Sequence, residues 1–254
     1  MRIDILTLFP EMCERVLSES IIGRAQKAGK TDVVCHNIRD FAGNKHNKVD
    51  DMPYGGGMGM VMAANPIFEC FESLYDRDTE EKPHLIYMSP KGKTLTQKRV
   101  TELAKLPRIA ILCGHYEGID ERVIEEIVDE EISVGDYVLT GGELPALTLT
   151  DAVCRMLPGV LSDDLCFTDE SHFAGVLEYP QYTRPAVWHG KSVPDVLLSG
   201  NHAEINKWRR KEALLITKER RPDMYEKIEL DRDDLKALGL WDKKHRRRRD
   251  DKTD

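Results

Sequence analysis

Ser133-Val134-Gly135-Asp136-Tyr137-Val138-Leu139-Thr140-Gly141-Gly142-Glu143-Leu144-Pro145 decides how this chain is read. Three glycines fall within eight residues. Glycine inside structured chain costs roughly 0.5–1 kcal/mol relative to alanine, so such a cluster answers to positive φ or to a close backbone approach. Here the glycines bracket a strand-like apolar run, Tyr137-Val138-Leu139, that ends in a turn and opens a helix near Glu143. That layout suits a loop whose own amides and carbonyls hold a flat, polar-edged ligand. The plainer reading is a strand, a tight turn and a helix start.

The same alternation recurs on the N-terminal side of this stretch. Residues 2–9 form a buried strand closed by Pro10, and an amphipathic stretch follows with Met12, Val16, Ile21, Ile22 and Ala25 at helical spacing. Residues 32–38 read as a second strand. A long polar, glycine-rich segment spans 44–60, and 66–74 looks helical. Residues 84–88 and 108–113 are short apolar strands, each ending in a loop with glycine or proline; between them 96–106 is helical, with Val100, Leu103 and Leu106 on one face. Strands alternating with helices predict a parallel α/β sheet covered on both faces. Ligands of such sheets sit at the carboxyl ends of the strands. The strand-end loops 87–92, 114–118 and 140–145 are therefore expected to share one site.

After Leu157-Pro158-Gly159 the composition changes. Residues 161–180 are acidic and turn-rich, and from Val193 the chain reads as helical. Asn201 with Glu204 resembles a capping box opening a basic helix, which Pro222 interrupts. The expected organisation is a ligand-binding domain over 1–160, a flexible linker over 161–175, a helical domain over 176–242 and a charged, disordered tail over 243–254.

A chain of 254 residues buries roughly 70% of its unfolded surface and needs no staples. Its six cysteines (13, 35, 70, 113, 154 and 166) are widely spaced, with no Cys-x-x-Cys, which argues against zinc and disulfides and fits reduced thiols in a cytosol. The start is acidic within four residues, unlike a secretory signal, and no apolar run approaches a membrane span. A soluble cytoplasmic protein without a membrane partner is expected. The net charge of −8 argues at first against nucleic acid. Residues 201–254, however, hold 17 Lys/Arg against 13 Asp/Glu, so +4 sits there and −12 on the rest. Such asymmetry fits a nucleic-acid-facing domain.

Two motifs mislead. Lys91-Gly92-Lys93-Thr94 looks like the end of a phosphate-binding loop, but position 87 is tyrosine where that loop needs glycine. Gly55-Gly56-Gly57-Met58-Gly59 fits no dinucleotide-binding register. Groups able to do chemistry are Arg155, on the helix that starts at the glycine-rich loop, and Asp169-Glu170-Ser171-His172, two carboxylates beside a histidine. Tyr116, Glu117 and Asp120 could grip a ligand's polar edges or simply open a helix. Lys207, Trp208, Arg209, Arg210 and Lys211 mix an aromatic with cations, as phosphate contact plus stacking requires; Trp208 could equally be core.

Taken together, Asp50-Asp51-x-Pro-Tyr-Gly-Gly-Gly-x-Gly-Met, Leu112-Cys-Gly-His-Tyr-Glu-Gly-Ile-Asp-Glu-Arg, the 133–145 stretch, Tyr182-Thr-Arg-Pro and Val196-Leu-Leu-Ser-Gly-Asn-His resemble the bacterial tRNA (guanine-37-N1)-methyltransferase family, from the first strand to about Pro222. The resemblance implies a SPOUT-type parallel sheet with a C-terminal deep trefoil knot, a rare exception to unthreaded connections, plus a small, mostly α-helical C-terminal domain. It implies S-adenosylmethionine, bent in the knot crevice, against Tyr87, Ser89, Pro90, Gly114, Tyr116, Glu117, Val134, Gly135, Asp136, Tyr137, Val138, Leu139, Gly141, Gly142 and Pro145. It implies an obligate homodimer whose sites combine the knot of one chain with the linker and C-terminal domain of the other. Implied RNA contacts are Asp50, Gly59, Ser171, Arg184 and His202, beside Lys207, Arg209 and Arg210, for a tRNA anticodon stem-loop carrying guanine 37. Mg²⁺ assistance is also implied, with no ligand cluster to place it. Two departures stand out. Met58 occupies a position usually held by proline. The family's general base is an aspartate directly before the serine; Glu170 stands there, with Asp169 just ahead. Ungapped spacing selects Glu170, and a one-residue shift selects Asp169. Arg155 is implied to stabilise charge developing on guanine O6.

Overall fold

A computed structural model describes residues 1–161, 170–173 and 175–241. The chain divides into two compact units, Met1–Asp164 and Leu165–Asp254. Most of the expected linker, with Asp169, and the tail 243–254 lie outside the described residues.

In the first unit the order is β1 (Arg2–Thr7), α1 (Pro10–Leu17), α2 (Ser20–Lys27), β2 (Asp32–Asn37), β3 (Asp50–Asp51), β4 (Val61–Met62), α3 (Ala64–Glu72), β5 (His84–Thr94), α4 (Gln97–Leu103), β6 (Arg108–Cys113), α5 (Glu121–Ile127), β7 (Glu130–Ser133) and α6 (Glu143–Cys154). Five strands form one parallel sheet in the order β2-β1-β6-β5-β7. Side chains alternate across a strand, so β1, β5 and β6 feed two cores. Ile3, Ile5, Ile86, Met88, Ile109 and Ile111 face α1, α2, α4 and α6, meeting Cys13, Leu17, Ile22, Val100, Leu103 and Leu149. Leu6, Leu85, Tyr87, Ala110 and Leu112 face α3 and α5, meeting Ile67, Phe71, Val123 and Ile127. Fully burying one such aliphatic side chain contributes about 1.5–3 kcal/mol. Both faces are covered, as the near-continuous apolar strands require.

Asp4 interrupts this apolar pattern. It is fully buried in β1, yet Arg2 Nη2 and His36 Nε2 donate to it at 2.8 Å and Arg108 Nε at 2.9 Å. Burial by itself disfavours the charge; the bonds from His36, Arg2 and Arg108 outweigh it and hold the carboxyl at about 2.

Three local expectations are corrected. The run Tyr137-Val138-Leu139 is an exposed loop, with Val138 82% exposed, because β7 ends at Ser133. There the Ser133 hydroxyl donates to Gly135 O and accepts from Gly135 N–H, turning the chain before any further strand can pair. Conversely, 87–92 is no simple strand-end loop. β5 runs on to Thr94, bulging so that Met88 and Lys93 both oppose Ile132. Finally, the amphipathic stretch after β1 is two helices. Cys13, Leu17, Ile22 and Ala25 are buried, while Met12, Val16 and Ile21 are exposed.

The second unit contains the hairpin β8 (Val187–Trp188) and β9 (Lys191–Ser192), then α7 (Asp195–Leu198), α8 (His202–Arg220), α9 (Pro222–Tyr225) and α10 (Arg232–Ala237). Val176, Ala213 and Leu214 centre a small core. Asn201 caps α8 through Glu204 N–H at 3.4 Å, but the Glu204 carboxylate accepts from Lys207 instead of returning to Asn201. The reciprocal capping box belongs to α10, between Asp231 and Asp234.

Candidate functional site

The bulged middle of β5 and the carboxyl ends of β6 and β7 surround a cavity of about 410 Å³. It is lined by Tyr87, Ser89 and Pro90 from β5, by Gly114, Tyr116 and Glu117 after β6, by Val134, Gly135, Tyr137, Val138, Leu139, Gly141 and Gly142 from the turn between β7 and α6, and by Pro145 from the first turn of α6. Fourteen of the fifteen residues expected at the cofactor thus share one cavity, and Asp136 does not line it. The sheet explains the convergence: parallel β6 and β7 deliver their following loops to one edge, and the bulge of β5 lies there because Met88 pairs with Cys113, the last residue of β6.

Close packing explains the double glycine. A Cβ on Gly142 would lie 2.7 Å from Cys113 Cα and 2.9 Å from Gly114 N, and one on Gly141 would collide with His115 Nε2. Gly142 N–H donates to Gly114 O at 2.9 Å, and His115 forms an antiparallel bridge with Gly141. The two walls are therefore joined backbone to backbone. Tyr116 stands at φ 59°, a left-handed conformation that costs an L residue about 1–2 kcal/mol. Tyr87 is buried against Gly114; burial first, then the charges of Glu131 and Glu121, push its phenol up to about 12, so it remains a neutral hydroxyl.

Beneath the cavity lies a polar cluster that sequence reasoning missed. Glu143, 3% exposed, accepts from Thr7 Oγ1 at 2.7 Å and from His115 Nε2 at 3.1 Å. The only sequence signal was an acid directly after the double glycine, where a first-turn carboxylate is unremarkable.

The glycine-rich segment borders the same edge. Glu117 N–H donates to Met60 O and Met62 N–H to Gly118 O, which ties the segment's end to the cavity wall. Gly59 packs on Glu117, where a Cβ would approach Cγ at 2.6 Å, and Tyr54 is fully exposed. Asp50 is half-buried in β3 and lines a second, wider cavity of about 1120 Å³ with Lys48, Tyr54 and Arg122. Arg155 caps the C-terminus of α6 and is absent from the lining of the first cavity.

The remaining expected residues belong to the second unit. Glu170 is half-buried; Ser171 Oγ accepts from Glu178 N–H at 3.0 Å. His202 is exposed at the first turn of α8. Arg184 lines a cavity of about 420 Å³ with Tyr179, Tyr182 and Arg209. The Arg209 guanidinium lies 4.9 Å from the Tyr179 ring centre, and its buried Nε has no hydrogen-bond partner among the described residues. Lys207 is exposed and pairs with Glu204 at 2.7 Å. Arg210 is differently placed: its fork holds Asp234 at 2.9 and 2.8 Å, bracing α10 against α8. Trp208 is half-buried, 6.3 Å from Tyr182. Among the described residues, no group of three or more His, Cys, Asp or Glu could hold a metal ion, and no helix is long and apolar enough to cross a membrane.

Comparison with known proteins gives a consistent result. The family model described as tRNA (Guanine-1)-methyltransferase TrmD matches residues 1–227. A tRNA (guanine-N(1)-)-methyltransferase of Ruminiclostridium cellulolyticum is 58% identical over 228 residues, covering 90% of this chain and 97% of its own. A protein of the same name from Alkaliphilus oremlandii is 56% identical, covering 88% and 92%. Another, from Alkaliphilus metalliredigens, is 51% identical over 245 residues, covering 96% and 99%. On the strength of that match, the chain belongs to the tRNA (guanine-1)-methyltransferase family.

Proposed function

We propose that the chain transfers a methyl group from S-adenosylmethionine to N1 of guanine 37 in tRNA, beside the anticodon. The cavity at the strand ends carries this reading. Gly114, Gly135, Gly141 and Gly142 lie where a Cβ would strike backbone or side chain, so the wall comes close to its neighbours at the level of the main chain. The wall also mixes apolar Leu139, Val138 and Pro145 with polar Ser89, Tyr116 and Glu117. Such a cradle fits an adenosine with a charged amino-acid tail. The fourteen lining residues named above are the proposed holders, with Asp136 adjacent in the turn. When bound, the cofactor supplies a methyl group on a sulfonium, ready for displacement.

The chain's own residues prepare the acceptor. Guanine N1 carries a proton and is a poor nucleophile until that proton leaves. Glu170, or Asp169 if the loop shifts by one, acts as the general base that takes it. Negative charge then grows on O6, and Arg155 stabilises it, a role typically worth about 10²–10³ in rate. An anticodon loop is already single-stranded, so presenting one base costs little. Asp50, Gly59, Ser171, Arg184, His202, Lys207 and Arg209 are the proposed RNA contacts. Arg210 is left to its structural pair. Among the described residues no cluster of His, Cys, Asp or Glu would hold the Mg²⁺ that the family reading implies.

The finer architecture belongs to the same proposal. The turn between β7 and α6 is read as part of a deep trefoil knot, the second unit as the tRNA-binding domain, and the cytoplasm as the location. A homodimer with shared sites is supported by the exposed apolar residues Phe9, Met12, Val16, Leu139 and Leu144. The test is incubation of the protein with labelled S-adenosylmethionine and tRNA transcripts having or lacking guanine 37. Label is expected only in the former; equal labelling of both would refute the assigned position.

A further inference from the structure

We propose that His115 and Glu143 are positioning residues for the methyl-donor cavity, anchored to β1 through Thr7. The inference rests on the reading that this cavity holds S-adenosylmethionine.

Three segments meet at one buried carboxylate. Thr7 ends β1, His115 follows β6, and Glu143 opens α6. Thr7 Oγ1 donates to Glu143 Oε1 at 2.7 Å, and the same hydroxyl accepts from Phe9 N–H at 2.9 Å. His115 Nε2 donates to Oε2 at 3.1 Å. Both carboxylate oxygens are thus occupied, and the first turn of the twelve-residue α6 favours negative charge there. A buried carboxylate is tolerated when so satisfied and is costly when one partner is removed.

The position of the cluster gives it a task beyond stability. His115 belongs to one wall of the cavity, and Glu143 directly follows the double glycine of the other. The bridge between His115 and Gly141 and the bond from Gly142 N–H to Gly114 O hold these walls at the level of the backbone. The side-chain pair clamps them from below. His115 also immediately precedes Tyr116, whose left-handed backbone persists only if its surroundings enforce it. The His115 ring packs 5.0 Å from Phe9 and 5.9 Å from Tyr116, so it is fixed from both sides. Removal of either partner frees the walls to part and Tyr116 to relax. Neither residue need touch the reacting atoms.

The test is titration of the full chain with S-adenosylhomocysteine, an unreactive probe, for wild type, Glu143→Ala, His115→Ala, Glu143→Gln and Asp4→Asn. Melting temperature and the KM values for cofactor and tRNA are measured alongside. The alanine variants are expected to bind the probe about 10- to 100-fold more weakly, with KM for tRNA within about twofold of wild type. Glu143→Gln keeps an acceptor for Thr7 and a donor for the other His115 tautomer, so it should recover most of the affinity. Asp4→Asn, remote from the cavity lining, should melt lower and bind the probe as wild type does. Wild-type affinity in the alanine variants would overturn the inference. So would weakened probe binding in Asp4→Asn, or a Glu143→Gln as poor as Glu143→Ala. If wild type itself takes up no probe, the reading of the cavity fails, and this inference with it.

Discussion

Replacing Gly142 by alanine tests how the cavity is built. Gly142 has φ −81°, which alanine adopts readily, so the backbone raises no objection. On those grounds alone the substitution would stabilise by about 0.4–1 kcal/mol through the unfolded chain. The new methyl, however, would sit 2.7 Å from Cys113 Cα and 2.9 Å from Gly114 N. These are backbone atoms of a buried strand end and cannot swing aside as a side chain would. Overpacking of this kind costs about 1–3 kcal/mol, and the bond from Gly142 N–H to Gly114 O lengthens with it. A net loss of about 1–2 kcal/mol follows, a fall of roughly 2–8 °C in melting temperature for a unit of this size. Gly142 and Gly114 both belong to the cavity wall, so affinity for S-adenosylhomocysteine should fall about tenfold or more. Calorimetric titration with a parallel thermal melt measures both. A Gly142→Ala protein that is more stable than wild type and binds equally well would show that the walls do not meet as described.

The remaining predictions concern chemistry, acid stability and RNA. In single-turnover methylation, Glu170→Gln should be nearly inactive and Asp169→Asn far less affected; the reverse result assigns the base to Asp169. Arg155→Ala should slow transfer by about 10²–10³ while cofactor affinity holds; lost affinity at an unchanged rate would contradict its role. Asp4 has a folded value of about 2 against an ordinary 3.8, a depressed acid, so its contribution is complete above about pH 4 and is lost as pH falls through 2. The difference amounts to about 2 kcal/mol. Asp4→Asn should therefore destabilise at pH 7 and flatten the loss of stability between about pH 4 and 2; unchanged acid denaturation would refute the assignment. Lys207→Ala and Arg209→Ala should weaken tRNA binding and reduce its salt slope, whereas Arg210→Ala should chiefly lower melting temperature by releasing Asp234. A salt slope changed only by Arg210→Ala would invert that division.

How far the sequence carried depended on the range of the interaction. The alternation of apolar strands with helices predicted the parallel sheet, because burial on both faces leaves its mark in adjacent residues. That 87–92, 114–118 and 140–145 would share one site followed from that topology and from glycines whose cost demanded a reason, although 87–92 arrives as a bulged strand and not as a loop. Local errors arose where pairing, not composition, decides. Tyr137-Val138-Leu139 has good strand composition, but β7 stops pairing at Ser133. Residues 87–92 contain proline and glycine and read as a strand-end loop, yet a bulge lets β5 resume against the end of β7. Met12, Val16 and Ile21 share helical spacing with the buried residues, but the break between α1 and α2 turns a different face inward. The clusters around Asp4 and Glu143 were invisible for a further reason. Arg108 lies 104 residues from Asp4, and Glu143 lies 136 from Thr7. No local pattern encodes partners brought together only by strand order. Arg210 shows the same limit, since a cation in a basic helix looks available until the fold supplies Asp234.

If the cradle formed by the bulge of β5 and the ends of β6 and β7 holds the methyl donor, a crystal structure of the protein with S-adenosylhomocysteine will show it there. The ligand is expected inside the cavity of about 410 Å³, against Tyr87, Gly114, Glu117 and the turn from Val134 to Gly142. A ligand seated elsewhere, as in the wider cavity beside Asp50 and Tyr54, would contradict it.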